Sequence, residues 1–334
     1  MNTNATSMPR QTLQLPAPRI GLGLAALGRP GYINLNHQAD LPAERSKAAM
    51  RAHCHQMLSH AYQRGVRYFD AARSYGLAED FLGDWLQQTA EADDCVIGSK
   101  WGYTYTADWQ VDAKTHEVKE HSLAVLQQQW QQTVTHLRCN PALYQIHSAT
   151  LDSGVLANTG VLDELARLRD AGVAIGLTTS GPQQADVIEQ ALTVERDGVG
   201  LFSSVQATFN LLEPSAADAL QRAHQAGVRV IIKEALANGR LTMRNQSPGD
   251  HELIFTLAEL GEEHDVGLDA LALGYILQQP WVDMALSGAA TPEQLDENLA
   301  ALNLTLSEQE RETLSGFAQP AKDYWQARAA LRWN

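Results

Sequence analysis

The sequence predicts an α/β fold, a (β/α)8 TIM barrel, on three observations. Eight short apolar strands alternate with helical segments along the chain. No interior linker or break in composition divides them. The first strand, with Gly21 and Gly23, runs into a loop rather than a helix, so the GxGxxG fingerprint of a doubly wound dinucleotide fold is missing. Alternating βα units imply a parallel sheet, and eight of them over 334 residues imply that the sheet closes on itself.

Each element has a local reason. Residues 19–26 (RIGLGLAA) form the first strand, with glycines where a backbone or ligand can approach, and residues 27–42 are a long loop. Residues 47–63 have helical periodicity and stop at Gly65, a suitable C-cap. Residues 66–70 are the second strand, residues 78–88 a helix, and residues 96–100 (VIGSK) the third strand. The connection over residues 101–120 is long and rich in aromatics, which favours a functional loop. A helix at 122–137 leads to the fourth strand, residues 142–147 (ALYQIH).

The rhythm then repeats with short connections. A helix at 160–171 precedes the fifth strand at 173–179, and a helix at 182–193 carries Pro182 near its first turn. The sixth strand, 201–208, is followed by a helix at 216–226 that ends at Gly227, then the seventh strand at 228–232. Helices at 251–264 and 269–278 precede the eighth strand at 282–286, and helices at 292–302 and 307–318 follow. Residues 1–12 are expected to be a disordered N-terminal extension. Residues 13–334 are expected to form a single barrel domain, with a C-terminal tail over the barrel mouth.

Composition excludes some classes of function. A net charge of −14 argues against nucleic acid or an anionic membrane as partner. No run of about 18 apolar residues would span a bilayer, and the polar N-terminus lacks the apolar core of a secretory signal. Cys54, Cys95 and Cys139 are scattered and odd in number, which suits a reducing cytoplasm and provides no metal-ligand spacing.

In a barrel the active site forms at the carboxyl ends of the strands. The second strand ends there with Asp70, followed on the loop by Tyr75; the third ends with Lys100 and the fourth with His147. Each alone has an ordinary structural reading: a turn carboxylate, a packed phenol, a solvated ammonium, a satisfied imidazole. Together, from neighbouring strands, they make chemical sense. A phenol of pKa near 10 needs help to act as a general acid at neutral pH. Lys100 is expected to lower the Tyr75 pKa, Asp70 to hold Lys100 charged, and His147 to donate to a substrate oxygen. Such a set suits protonation of the alkoxide formed when a hydride reaches a carbonyl.

At these residues the chain resembles the aldo-keto reductase superfamily. Asp70 and Tyr75 in YFDAARSYG, Lys100 in IGSKWG and His147 in YQIH match the order of that family's catalytic tetrad. The segments VQATFNLL from Val205 and SGAATPEQLDENLAAL from Ser287 resemble its cofactor-binding segments. The resemblance implies an NAD(P)(H)-dependent oxidoreductase that interconverts a small-molecule carbonyl (aldehyde, ketone or aldose) and an alcohol. It implies cofactor contacts from Gly23, Leu24, Asp70, Thr178, Thr179, Gln206, Lys233, Leu236, Gly239, Gly288, Gln294, Glu297 and Asn298.

Three departures stand out. Thr178-Thr179 replace the family's usual Ser-Asn. Lys233 stands where a stacking aromatic is common, and is expected to contact the cofactor or to pair with Glu234 or another acid. No Lys or Arg lies between Ser287 and Asn298, which predicts a weakened preference for NADP(H) and acceptance of NAD(H). Substrate contacts are expected from Trp101, Tyr103 and Trp109, and from Tyr324, Trp325 and Trp333 in the tail. Two other readings remain: a nicotinamide-binding sensor or accessory subunit, as this barrel serves in potassium-channel β subunits, and a lyase using Lys100 as a Schiff-base nucleophile.

Overall fold

The computed structural model describes residues 13–89 and 92–334. The extension expected at residues 1–12 lies outside the described residues. Eight strands form the barrel: β1 (Ile20–Gly23), β2 (Tyr68–Asp70), β3 (Val96–Trp101), β4 (Leu143–Ala149), β5 (Ala174–Thr179), β6 (Ser204–Thr208), β7 (Arg229–Lys233) and β8 (Met284–Ser287). Each pairs in parallel with its chain neighbours, and β8 pairs with β1 to close the ring.

Helices wrap the outside: α1 (Lys47–Gln63), α2 (Ala78–Gln88), α3 (Leu123–Leu137), α4 (Thr159–Asp170), α5 (Gln184–Leu192), α6 (Ala217–Gln225), α7 (His251–His264), α8 (Leu268–Leu277), α9 (Pro292–Ala300), α10 (Glu308–Ser315) and α11 (Ala321–Ala329). Several begin at a serine whose side chain caps the first turn. Ser46, Ser122 and Ser307 each accept from the backbone N–H three residues on, satisfying a donor that the first helical turn leaves free. No helix among the described residues is long and apolar enough to cross a membrane.

Alternation along the strands sorts the side chains. On β2, Phe69 packs among helix residues such as Phe81 and Leu82, while Tyr68 joins Leu143, Ala174, Ile231 and Met284 in a separate cluster that contains no helix residue, the filling of the barrel interior. Asp70, two residues after Tyr68, therefore faces inward. On β3, Gly98 and Lys100 face inward, and Ile97 and Trp101 face the helices. On β7, Ile231 and Lys233 face inward, and Val230 and Ile232 outward. Burying each large aliphatic side chain in these layers stabilises the fold by roughly 1.5–3 kcal/mol.

Two segments differ from expectation. Residues 101–120 are not an open loop: Tyr103–Tyr105 pairs antiparallel with Glu117–Lys119 in a hairpin beside the barrel mouth. The sequence also did not suggest α11, which follows Pro320 and buries Tyr324 and Trp325. Beyond it the chain returns over the mouth, where Asn334 and Tyr32 exchange backbone hydrogen bonds at 3.1 Å each.

Candidate active site

A cavity of about 390 Å3 opens at the carboxyl ends of the strands. Asp70 is at its floor. Its Oδ1 accepts from Tyr68 Oη (3.3 Å), Gln145 Nε2 (3.3 Å) and Gln206 Nε2 (3.1 Å). Its Oδ2 accepts from the Lys100 ammonium, which also donates to Ala71 O at 3.0 Å. Lys100 is 1% exposed and lies beneath the cavity rather than on its wall. Its Nζ is 4.8 Å from the centre of the Tyr75 ring, a cation–π contact.

Tyr75 and His147 both line the cavity, with ring centroids 5.5 Å apart and edge to face. The Tyr75 phenol is pushed well above its ordinary pKa, by burial first and then by the Asp70 charge, with Arg29 pulling the other way and Glu117 and Glu234 adding to the rise. The expectation that Lys100 lowers it is not met. Asp70 neutralises that ammonium at contact distance, and among the described residues Lys100 donates to Asp70 and Ala71, not to the phenol oxygen. Burial likewise drives the His147 imidazole well below its ordinary pKa, with Lys100, Lys233, Arg29 and His121 adding to the fall. His147 is therefore neutral at pH 7. Its Nδ1 lies 3.4 Å from Ser74 Oγ; when that hydroxyl donates, the ring proton sits on Nε2.

The end of β4 is held by a bulge. Its register against β5 shifts between Ile146 and Ala149, and Ser148 has φ 52°. Ser148 N–H donates to Thr178 Oγ1 at 2.7 Å, and His121 Nε2 lies 2.9 Å from His147 O. The Thr178 hydroxyl is thus already used in supporting His147. Thr179, one step along the strand, faces outward to Gln184 of α5 at 3.4 Å. Neither threonine lines the cavity, whereas Ser148 and Ser180 do.

Arg29, in the loop after β1, is a site residue that no sequence pattern marks. It is 2% exposed, pairs with Glu117 of the hairpin, and donates to Ser74 O at 3.0 Å. Its guanidinium lies 5.1, 5.2 and 4.6 Å from the rings of Tyr32, Tyr75 and Trp333. It thereby ties the Tyr75 loop to the hairpin and the tail. The close approach depends on Gly28 and Gly76: a Cβ on Gly28 would strike Tyr75 O, one on Gly76 would strike Gly28 O, and Gly76 has φ +61°.

At the end of β7, Lys233 lines the cavity and donates to Thr208 Oγ1 at 2.8 Å. Of the alternatives expected for Lys233, an ion pair with Glu234 is not formed. Glu234 instead pairs with Arg328 of α11, and its Oε2 accepts from Thr208 Oγ1 at 3.1 Å. Burial opposes ionisation of Glu234, but Arg328 and Lys233 outweigh it and hold its pKa at about 2.

The far end of the cavity is made of loops. Arg244, after β7, makes two 2.5 Å bonds to the carboxylate of Asp40, in the loop after β1. Asp40 Oδ1 also accepts from Gln294 Nε2 of α9 at 2.9 Å. Burial opposes ionisation of Asp40, but the hydrogen bonds from Arg244 and the His37 imidazole 3.8 Å away outweigh it and hold its pKa at about 2. Asp269, facing the same space, is raised to about 6 by burial and the Glu297 charge.

The profile of the Aldo/keto reductase family matches residues 19–318. This chain belongs to the aldo/keto reductase family. Among similar proteins, aldo-keto reductase str7 of Strobilurus tenacellus is 23% identical over 310 residues, spanning 86% of this chain and 84% of its own length. D-threo-aldose 1-dehydrogenase of a Pseudomonas species is 25% identical over 272 residues, spanning 72% of this chain and 80% of its own. An aldo-keto reductase from Bacillus halodurans, solved in its holo form, shares the fold with a TM-score of 0.68 at 22% identity, over 94% of this chain and 97% of that one.

Aldo/keto reductases use NAD(P)H, and the cavity has the donors and acceptors that such a group needs. Asn298 Oδ1 and Asn238 Oδ1 are buried on cavity-lining residues with no protein partner among the described residues, a costly state that a bound polar group relieves. Of the residues expected to bind cofactor, Gly23, Asp70, Gln206, Lys233, Leu236, Gly239, Gly288, Gln294 and Asn298 line the cavity. Leu24 does not; it is buried in the helix-facing core. Glu297 also lies outside the lining, on the exposed side of α9. Of the substrate residues expected in the loop after β3, only Tyr103 lines the cavity, its ring 4.9 Å from His147. Trp101 is fully buried because β3 extends one residue past Lys100 and alternation turns it toward the helices. Trp109 packs against Phe81 and donates to Arg45 O. In the tail, Tyr324 and Trp325 are buried and only Trp333 reaches the cavity.

Proposed function

We propose that this aldo/keto reductase reduces small-molecule carbonyls to alcohols, with Tyr75 as proton donor and His147 as the hydrogen-bond donor that orients the carbonyl oxygen. The observation that carries this reading is the pairing of a protonated phenol and a neutral imidazole, edge to face at 5.5 Å on the wall of one cavity. Reduced nicotinamide, once bound in the cavity, would supply the hydride. As the C–H bond forms, the π electrons of the carbonyl pass to its oxygen, and the Tyr75 phenol proton goes to that oxygen. The His147 Nε2–H stabilises the charge that develops there. Lys100 and Asp70 act from below: the ammonium faces the Tyr75 ring, and Asp70 keeps that ammonium charged. Because its pKa is raised, the Tyr75 phenol holds its proton at neutral pH and so carries the proton to be donated.

The cofactor would be held by Gln206 near the tetrad and by Gln294 and Asn298 at the loop end. That end favours NAD(H). Arg244 is a cation that a 2′-phosphate needs, but Asp40 already neutralises it, with Asp269 and Glu297 nearby. The backbone donors there are also in use: Ala290 N–H binds Gln294 Oε1 at 2.9 Å and Gln294 N–H binds Thr291 Oγ1 at 3.3 Å.

The test is a screen of NADH and NADPH oxidation, and of NAD+ and NADP+ reduction, against aldehydes, ketones and free aldoses. The proposal expects aldehyde or ketone reduction with NADH at least as efficient as with NADPH. Absence of turnover on every carbonyl would overturn it, and an NADPH preference above about tenfold, 1.4 kcal/mol, would overturn the cofactor assignment.

A further inference from the structure

We propose that Lys233 selects carbonyl substrates that carry a carboxylate, an inference that rests on the carbonyl-reductase reading and names the substrate class for the same site. The argument begins with the pattern of β7. Ile231 fills the barrel interior, so Lys233, two residues on and at the strand's end, projects from the same face into the cavity that Tyr75 and His147 line. It is near enough to His147 for its charge to help depress the imidazole.

Charge pairing around this end of the cavity leaves Lys233 over. Lys100 is matched by Asp70, Arg29 by Glu117 and Arg328 by Glu234. Lys233 has no ion pair among the described residues. Its one hydrogen bond goes to Thr208 Oγ1, whose hydroxyl donates in turn to Glu234 Oε2. Glu234 is already matched by Arg328, with Oε1 accepting from both Nε and NH2 of that guanidinium. An ammonium has three donors, so two of those on Lys233 have no acceptor among the described residues. Burial lowers its pKa to about 8, with Arg328 and Lys100 working against the stabilising Glu234 charge, so it remains mainly protonated at neutral pH.

Lys233 is half-buried at the cavity wall, its Nζ 5.8 Å from the Trp325 ring; a desolvated, charged donor left without an acceptor is costly, and an anion in the cavity relieves that cost. The balance also sets the valence of the anion. With three pairs neutral and His147 uncharged, one positive charge remains, which suits a carboxylate. A phosphate, carrying nearly two charges, would leave one unmatched.

The experiment compares matched pairs: glyoxylate, succinic semialdehyde and carboxybenzaldehyde, each against its methyl ester, with the holoenzyme and saturating NADH. Wild type is expected to favour at least one acid over its ester by about tenfold or more in kcat/KM, the effect of one hydrogen-bonded charge pair. In Lys233→Met the ratio should fall to about one, and Lys233→Arg, which keeps the cation, should retain most of it. Calorimetric binding of glycolate, γ-hydroxybutyrate and hydroxymethylbenzoate supplies a readout that needs no turnover. Binding of one of them by wild type, lost in Lys233→Met, supports the carboxylate site even if no carbonyl is reduced, in which case the reductase reading alone fails. Equal rates on acids and esters, or a ratio unchanged in Lys233→Met, would overturn the inference. So would a rise in the dissociation constant for NADH in that variant with the acid-to-ester ratio intact, since Lys233 would then serve the cofactor.

Discussion

At the floor of the cavity the polar groups come from strand ends and touch one another through the barrel interior: Asp70 gathers donors from Tyr68, Lys100, Gln145 and Gln206. At the far end, Asp40, Arg244 and Gln294 come from loops and a helix terminus, and meet across more than 200 residues of chain. The first arrangement is fixed by strand register, with Asp70 opposite Gly98 and Lys100 opposite Gln145. The second is held mainly by the ion pair itself. A change at the floor should therefore damage chemistry and stability together. A change at the loop end should alter which cofactor is chosen and leave the barrel standing.

Predictions from this contrast run from large to small. Tyr75→Phe removes the proposed donor and should lower kcat by about 100-fold to 10,000-fold, with the NADH dissociation constant, from protein fluorescence quenching, nearly unchanged. Retained turnover would show that the floor does not do the proton chemistry. Asp70→Asn leaves the buried Lys100 ammonium without its counter-charge and should destabilise by about 3 kcal/mol or more in urea unfolding. Adding Lys100→Met should recover part of that loss; if it deepens it, the ion pair is not what stabilises the floor.

At the loop end, Asp40→Asn frees Arg244 and should raise the NADPH-to-NADH ratio of kcat/KM by about tenfold, with little change in melting temperature. A fall in melting temperature as large as that of Asp70→Asn would erase the distinction between the two ends. The smallest effect concerns His121, which supports the His147 carbonyl. Burial lowers its pKa from 6.5 to about 4, against the hydrogen bond to His147 O and with Lys119 adding to the fall. The unfolded chain then binds more protons below pH 6.5, so the contribution is whole above that pH and is lost as the pH falls toward 4. Between neutral pH and about pH 5 the wild type should lose more melting temperature than His121→Gln; equal losses would contradict the assignment.

What the sequence revealed follows the same division. Asp70, Lys100 and His147 could be read because each ends a short apolar strand, and Tyr75 because it follows one within the same segment. Alternation alone would also have turned Trp101 toward the helices, had the strand been carried one residue further. Arg29 and Arg244 could not be read this way. Their roles come from Ser74, Glu117 and Asp40, which lie 45, 88 and 204 residues away, and no local pattern marks a loop arginine for such a partner. The absence of Lys and Arg between Ser287 and Asn298 was legible; that Arg244 enters the same space already neutralised was not. The eight strands were legible as a set, whereas α11, a short helix after Pro320, was not.

The most direct measurement follows deuterium from reduced nicotinamide labelled at its transferable position into the product of an aldehyde, by mass spectrometry, in wild type and Tyr75→Phe. The account predicts an alcohol bearing one deuterium on the former carbonyl carbon, formed by wild type and nearly absent with Tyr75→Phe. Unlabelled alcohol, or labelled alcohol formed equally fast by both proteins, would contradict it.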